Sequence, residues 1–264
     1  MKDALDGART AIAASGSPTA RLDAELLLAH VLGVERTRLL LDDLTVEGPA
    51  VRAFQDLVRR RSVGREPIAY LLGTQGFRRL ELHVDGRVLI PRPETEHAVE
   101  AVLELASEGA RVVDVGTGSG AIALALKDER PDLVVTGSDV SADALAVARG
   151  NAERLGLSVD FVTADGAPDG DWDVLVSNPP YVAAGDPRVE PGVHAHEPHL
   201  ALYAGEDGLD LIRRLVGAGA PLLVLEVGDG QAPAVAELAR DMGYGRTRID
   251  RDLAGVERIV VAWR

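Results

Sequence analysis

Asp114-Val115-Gly116-Thr117-Gly118-Ser119-Gly120 joins an apolar run, Arg111–Val115, to a helical pattern, Ala121–Lys127. Glycine at alternate positions lets a turn be tight and lets a ligand approach bare backbone. After a strand and before a helix, three such glycines read as a binding loop rather than a simple turn. Working outward, strand-like runs recur at Val134–Asp139, Val159–Thr163, Asp173–Ser177, Pro221–Val227 and Arg258–Trp263, with helical patterns between most of them. Repeated strand–helix–strand units predict a mainly parallel sheet covered on both faces, a Rossmann-like α/β fold.

A carboxylate, Asp139, closes the second of these strands, where it suits bidentate hydrogen bonding to ribose hydroxyls. Gly116, Gly118 and Ala121 also satisfy G-x-G-x-x-A, with Asp139 at the spacing of a ribose-binding acid. The loop alone therefore leaves a nicotinamide dinucleotide open as its ligand.

The choice turns on Asn178-Pro179-Pro180-Tyr181, which follows the strand Asp173–Ser177. In a parallel sheet that strand is expected beside the first, so its end faces the glycine loop across the crevice where such folds bind ligands. Two prolines stiffen the turn, each fixing its own φ and restricting its predecessor. A stiff turn can present the Asn178 oxygen, the Pro179 carbonyl and the Tyr181 ring in fixed relation. That set suits a planar amino group: two acceptors for its two N–H bonds and an aromatic face beside it. A carboxamide nitrogen is a poor nucleophile because resonance delocalises its lone pair. Directed acceptors favour a pyramidal nitrogen and stabilise the positive charge that builds up as it attacks. Neither acceptor ionises near neutrality, so the loop by itself predicts a transfer step insensitive to pH from about 6 to 9. Hydride transfer has no use for such a loop.

The chain begins with helical patterns. Ser17 is a candidate N-cap with Pro18 at the first helical position, followed by Leu22, Leu26 and Ala29 and a stop at Gly33. A second helix is predicted over Pro49–Ser62, and Arg59, Arg60 and Arg61 read as its solvated C-terminal end. Asp85-Gly86, between Phe77–Val84 and Arg87–Ile90, predicts a β-hairpin. The expected organisation is thus an N-terminal helical domain over residues 1–75, a hairpin linker over 76–92 and a cofactor domain over 93–264.

Composition narrows the partners. The 264 residues carry a net charge of −14, which tilts away from a nucleic-acid backbone and toward a small-molecule or protein substrate. With no cysteine, disulfides and cysteine-ligated zinc are excluded, and no histidine or carboxylate stands at metal spacing from His83, so no metal is expected. No run reaches the ~18 apolar residues of a membrane span, and acidic residues near Met1 argue against a signal peptide, so a soluble cytoplasmic protein is expected; a monomer is expected as well.

Several stretches resemble the release-factor glutamine methyltransferases. They are Asp23–Leu32, Pro67–Gly73, Ile90-Pro91-Arg92-Pro93-Glu94-Thr95-Glu96, Asn178–Tyr181, Glu197–Leu202 and Gly205–Asp210, in the family's order and spanning nearly the whole chain. The resemblance implies a class I S-adenosyl-methionine-dependent methyltransferase domain preceded by a small helical substrate-recognition domain. It implies that Gly116, Thr117, Gly118, Ser119, Gly120 and Asp139 hold S-adenosyl-methionine, with Asp165 near the adenine amino group and Gly166 offering backbone contact. It implies that Asn178, Pro179, Pro180 and Tyr181 hold the substrate glutamine, Asn178 also lying near the cofactor, and that the substrate is the Gly-Gly-Gln glutamine of peptide-chain release factors. An adenine amino-methyltransferase acting on DNA or RNA is the rival, because adenine presents the same planar NH₂ after base flipping.

Overall fold

The computed structural model describes residues 1–41 and 44–264. The chain divides into two compact units, residues 1–74 with Pro191–His196, and residues 75–190 with 197–264.

The first unit is helical. It contains α1 (Lys2–Ala14), α2 (Ala20–Leu32), the single turn α3 (Arg38–Leu41), α4 (Pro49–Ser62) and α5 (Ile68–Leu72). Ile12, Leu27, Leu28 and Phe54 lose nearly all solvent contact and form its core with Ala24, Leu39 and Leu71. Gly33 stops α2 in the left-handed conformation at φ 64°, and α4 spans the predicted residues with Pro49 in its first turn.

Two local expectations for this unit are corrected. Thr19, not Ser17, is the N-cap of α2; the Ser17 hydroxyl donates to the Asp23 carboxylate at 3.0 Å instead. Arg61 is not part of a solvated end. Its Nε donates to Asp23 at 2.8 Å, and Asp23 is only 2% exposed. A buried carboxylate costs several kcal/mol unless it is paired, so Arg61 and the hydroxyls of Ser17 and Thr19 are what let α2 carry an acid on its inner face.

The second unit begins with a two-stranded hairpin, β1 (Thr74–Phe77) and β2 (Leu80–His83). The hairpin lies earlier than the sequence predicts, with Arg78-Arg79 as its turn. Arg78 takes the positive φ of 52° that the turn needs, held by Glu129 at 2.5 Å from its Nε and by its backbone N–H donating to Glu96. Gly86 is not among the positive-φ glycines, so Asp85-Gly86 lacks the geometry of a tight hairpin turn. It forms a turn closed by Val88 N–H donating to the Asp85 carbonyl at 3.1 Å, and the residues after it belong to no strand.

A short 3₁₀ turn, Pro93–Thr95, then leads into α6 (Glu96–Leu105). The doubly wound part follows in the predicted order: β3 (Arg111–Val115), α7 (Ala121–Glu129), β4 (Val134–Asp139), α8 (Ala142–Leu155), β5 (Asp160–Thr163) and β6 (Val174–Ser177). After a segment whose α9 (Pro191–His196) belongs to the first unit come α10 (Asp210–Ala218), β7 (Leu222–Glu226), α11 (Ala232–Asp241), β8 (Arg246–Arg251) and β9 (Glu257–Trp263). The sheet has seven strands in the order β5-β4-β3-β6-β7-β9-β8, parallel except for β9, which runs antiparallel to both of its neighbours. Strand β8 escaped the sequence reading because its Arg-Thr-Arg-Ile-Asp-Arg run shows no apolar pattern; it is an edge strand, where charge is tolerated and discourages further pairing. Both faces of the sheet are buried, one against α6 and α7 through Leu124 and Leu126, the other against α10 and α11 through Ile212 and Val235.

Arg61→Ala is expected to destabilise the chain by about 2–4 kcal/mol in chemical denaturation, since it strands a buried carboxylate. Arg59→Ala, which removes only the surface pair with Asp56, is expected to cost less than about 0.5 kcal/mol. Equal effects would mean that the run of arginines acts as a surface charge.

Candidate active site

The glycine loop is held from below. Gly116, Gly118 and Gly120 all have positive φ, at 71°, 54° and 84°, which lets three consecutive turns of direction occur without a β-carbon clash. The backbone N–H groups of Gly116 and Thr117 donate to the Ser138 carbonyl at the end of β4. Thr117 points inward and donates to Asp114 at 2.5 Å; Asp114 also accepts from Ala123 N–H at the start of α7. Ser119 is buried as well, and its carbonyl accepts from Asn151 of α8, whose side chain also brackets the backbone of His83. The side chains of this loop therefore build it, and the bare backbone of Gly116 and Gly118 is left toward open space.

Asp139, at the end of β4, accepts from Gly118 N–H at 3.0 Å and from Ser141 N–H at 2.9 Å. Ser141 caps α8. The carboxylate so ties the loop to the next helix, with lone pairs remaining on both oxygens. Asp165, after β5, is exposed and pairs with Arg214 of α10 at 3.0 Å. Gly166 lies against the same arginine: a β-carbon there would stand 3.1 Å from Arg214 Nη2.

The Asn178-Pro179-Pro180-Tyr181 turn leaves β6, which pairs directly with β3. Ser177 Oγ donates to the Val115 carbonyl at 2.6 Å, clamping the ends of the two strands together. Asn178 Nδ2 donates to Thr95 Oγ1 at 2.9 Å, and Thr95 Oγ1 donates to Glu226 Oε2 at 2.6 Å. Tyr181 OH lies 3.4 Å from the other Glu226 oxygen. Its carbonyl accepts from Gln231, and its neighbour Val182 bridges to Tyr203. Glycine is required at position 208, where a β-carbon would come within 2.2 Å of the Tyr181 carbonyl.

Between these elements lies a cleft of about 350 Å³, within the ~300–1,000 Å³ range of small-molecule sites. Of the residues singled out from sequence, Gly116, Gly118, Asp139, Asp165, Asn178 and Pro180 line it. Thr117, Ser119, Gly120, Gly166, Pro179 and Tyr181 do not. The sequence reading assigned no role to the opposite wall, Val88-Leu89 and the segment from Leu200 to Gly205. It also missed Thr95 and Glu226, which lie beneath Asn178. The only signal for Thr95 was its place in the Pro-Arg-Pro-Glu-Thr stretch, and Glu226 carried none beyond ending an apolar strand.

Two carboxyls under the cleft are fully desolvated. Burial pushes Asp114 up to about 7, against the Thr117 and Ala123 hydrogen bonds, with nearby Asp139 pushing the same way. One of its oxygens has no hydrogen-bond partner among the described residues. Burial likewise pushes Glu226 up to about 7, opposed by the Thr95 hydroxyl and Arg258 and reinforced by Glu94. The Tyr181 phenol is raised first by burial and then by the Glu226 charge.

The fold, with its switch point between β3 and β6, superposes on solved methyltransferases. A methyltransferase from Pyrococcus furiosus superposes with a TM-score of 0.53 at 18% identity, over 70% of this chain and 88% of that one. The hMettl16 catalytic domain, solved in complex with a MAT2A 3'UTR hairpin, gives 0.55 at 17% identity, over 84% and 83%. The family model described as the methyltransferase small domain matches residues 96–192. The fold is one that solved methyltransferases share. The model of the PrmC N-terminal domain matches residues 3–73. The release factor glutamine methyltransferase of Deinococcus radiodurans is 41% identical, over the whole of this chain and 98% of its own length. That of Neisseria gonorrhoeae is 40% identical over 91% of this chain and 92% of its own. The chain belongs to the release factor glutamine methyltransferase family.

The two raised carboxyls give stability an unusual sign. An acid with a raised value in the folded state keeps a proton that the unfolded chain has already released, so stability falls as pH climbs from about 4 to about 7. Asp114 alone is expected to remove about 2–3 kcal/mol between pH 5 and 8. Urea midpoints should decline over that interval, and Asp114→Asn should remove roughly half of the decline, leaving the part due to Glu226. A midpoint that rises from pH 5 to 8 in the wild type would contradict the burial of both charges.

Proposed function

We propose that this chain transfers a methyl group from S-adenosyl-methionine to the side-chain amide nitrogen of a release-factor glutamine. Membership of the family, at about 40% identity over full length, carries the reaction and the substrate. The cleft fits the cofactor on its own chemistry. Gly116 and Gly118 offer unobstructed backbone beside the Asp139 carboxylate, which in this reading accepts from ribose hydroxyls. Asp165 and Gly166 are assigned to the adenine end, where Arg214 engages Asp165 and leaves Gly166 only its backbone to offer. Thr117, Ser119 and Gly120 contribute by shaping the loop.

When bound, S-adenosyl-methionine would supply an electrophilic methyl on a sulfonium centre, whose sulfur is the leaving group. The chain's part is to hold the glutamine nitrogen. Asn178 has its Nδ2 committed to Thr95, so its Oδ1 is the atom left to accept an N–H of the substrate amide. The Pro179 carbonyl, which accepts no hydrogen bond among the described residues, is assigned the second N–H, although Pro179 is buried and outside the cleft lining. Pro180, which lines the cleft, fixes the turn, and Tyr181, whose hydroxyl is turned to Glu226 beneath the turn and which lies outside the cleft lining, is assigned to the side of the amide. Two acceptors favour the pyramidal nitrogen and stabilise its developing positive charge; its extra proton then passes to water.

Residues 1–74, matched over most of their length by the PrmC N-terminal domain, are assigned to recognition of the protein substrate. The net charge of −14 supports a protein rather than a nucleic acid as substrate. Among the described residues no helix is long and apolar enough to cross a membrane. A monomeric enzyme working in the cytoplasm accords with this reading.

The direct test offers labelled S-adenosyl-methionine with a release factor, a DNA duplex and an RNA side by side. Label is expected in the release factor at its Gly-Gly-Gln glutamine; label in either nucleic acid instead would establish the adenine reading. Asn178→Ala is expected to slow methyl transfer by roughly two to three orders of magnitude, the usual effect of removing one preorganised group that stabilises transition-state charge. A rate within about threefold of wild type would make the turn merely structural.

A further inference from the structure

Asn178 is one end of a buried chain of polar groups that the methyl-transfer chemistry does not itself require. Its Nδ2 donates to Thr95 Oγ1, and Thr95 Oγ1 donates to Glu226 Oε2. Thr95 is 4% exposed and Glu226 1%. Thr95 comes from the 3₁₀ turn before α6, Glu226 from the last position of β7, and Asn178 from the turn after β6. Because Ser177 pairs with Leu225, the residues that follow each, Asn178 and Glu226, come side by side at the ends of β6 and β7.

A threonine hydroxyl has one proton and two lone pairs. While Glu226 is ionised it can only accept, so it takes the Thr95 proton. Thr95 is then left with lone pairs alone toward Asn178, and only the NH₂ end of that amide can meet them. The Asn178 oxygen is thereby turned into the cleft. A carboxamide is nearly symmetric in shape, and packing cannot distinguish its two ends; a hydrogen-bond partner of fixed polarity can.

We propose that Thr95 and Glu226 are positioning residues for methyl transfer: the Glu226 carboxylate polarises the Thr95 hydroxyl, which orients the Asn178 amide with its oxygen toward the substrate nitrogen. This rests on the glutamine reading for the reaction, but the orientation itself is a property of the chain alone.

Protonation reverses the relay. A neutral Glu226 can donate to Thr95, whose own proton is then free to point at Asn178. The amide can turn over, presenting NH₂ to an NH₂ substrate, and the acceptor is lost. Burial places this event at about 7. The other groups facing Glu226 are Arg258 from β9, which favours the ionised form, Glu94 from the 3₁₀ turn, which opposes it, and the Tyr181 hydroxyl, which donates to it. Arg92 also acts on Tyr181 but is itself bound to the buried Glu197 at 2.5 Å. The pH-insensitive step expected from the loop alone is thus replaced by an acid limb.

The experiment has a kinetic arm and a spectroscopic arm. Thr95→Val keeps shape and removes the hydroxyl; it is expected to lower kcat by about tenfold to a hundredfold, with KM for S-adenosyl-methionine within about twofold of wild type. Thr95→Ser restores the hydroxyl and is expected to recover kcat to within about threefold. Wild-type kcat should fall below a pH of about 7 as one proton is taken up, and Glu226→Gln, which cannot titrate, should lose that limb. In the cofactor-free protein, the ¹⁵N resonance of the Asn178 side-chain amide should titrate with the same midpoint and be flat in Glu226→Gln. Thr95→Val turning over at the wild-type rate, an acid limb that survives in Glu226→Gln, or an Asn178 resonance indifferent to pH would each overturn the relay. If the wild type methylated no release factor, the glutamine reading would fail while the resonance still decided the relay.

Discussion

The site depends on the parallel pairing of β3 with β4 on one side and β6 on the other. Val115 stands opposite Ser138, and Asp114 opposite Val176, so all three strands end at one level. Parallel strands carry their connections to the same edge, and here the order reverses between β3 and β6. The glycine loop, Asp139 and Asn178 emerge around the resulting crevice because the register leaves them nowhere else to go. A slip of one residue would turn each of these side chains to the other face.

Polar groups buried beneath this crevice are costly, and two of them have an identifiable use. Asp114 sits beneath the loop with Thr117 and the first turn of α7 as partners, and it leaves one oxygen unsatisfied. Glu226 sits beneath the Asn-Pro-Pro-Tyr turn with Thr95 and Tyr181. In both places a desolvated carboxyl organises a loop from below while the backbone of Gly116 and Gly118, Asp139 and Asn178 face the cleft. Hydrogen bonds in a dry interior are stronger and more directional than in water, which is the condition for holding a small planar group in one orientation.

Arginine carries much of the remaining polar structure. Arg61 neutralises Asp23 inside the helical unit, Arg78 holds a left-handed hairpin turn through Glu129, and Arg92 meets Glu197, which also accepts from Ile90 N–H. Each guanidinium is fixed by a buried or half-buried carboxylate, a geometry that its planar fork of donors suits. Those pairs give irregular segments a defined path where no strand or helix does so.

Periodicity and punctuation made the α/β core legible. Buried parallel strands must be continuous apolar runs, so β3, β4, β6 and β7 could be found within a residue or so, and the glycines at 116, 118 and 120 marked the loop because their backbone conformation excludes other residues. Helix α4 was equally plain from its proline and its apolar stripe. The edge strand β8 was not, since an edge needs no apolar pattern, and the hairpin turn was misplaced because an ion pair 51 residues away, not local glycine chemistry, stabilises Arg78. The chain from Asn178 through Thr95 to Glu226 was beyond any local reading. Its members lie 83 and 131 residues apart, and their meaning comes from which atom donates to which. Sequence determines which residues must be buried or bent, because those are one-residue properties of side chain and backbone. Only the tertiary structure decides which polar atoms meet in the dry interior, because that follows from how separate elements pack.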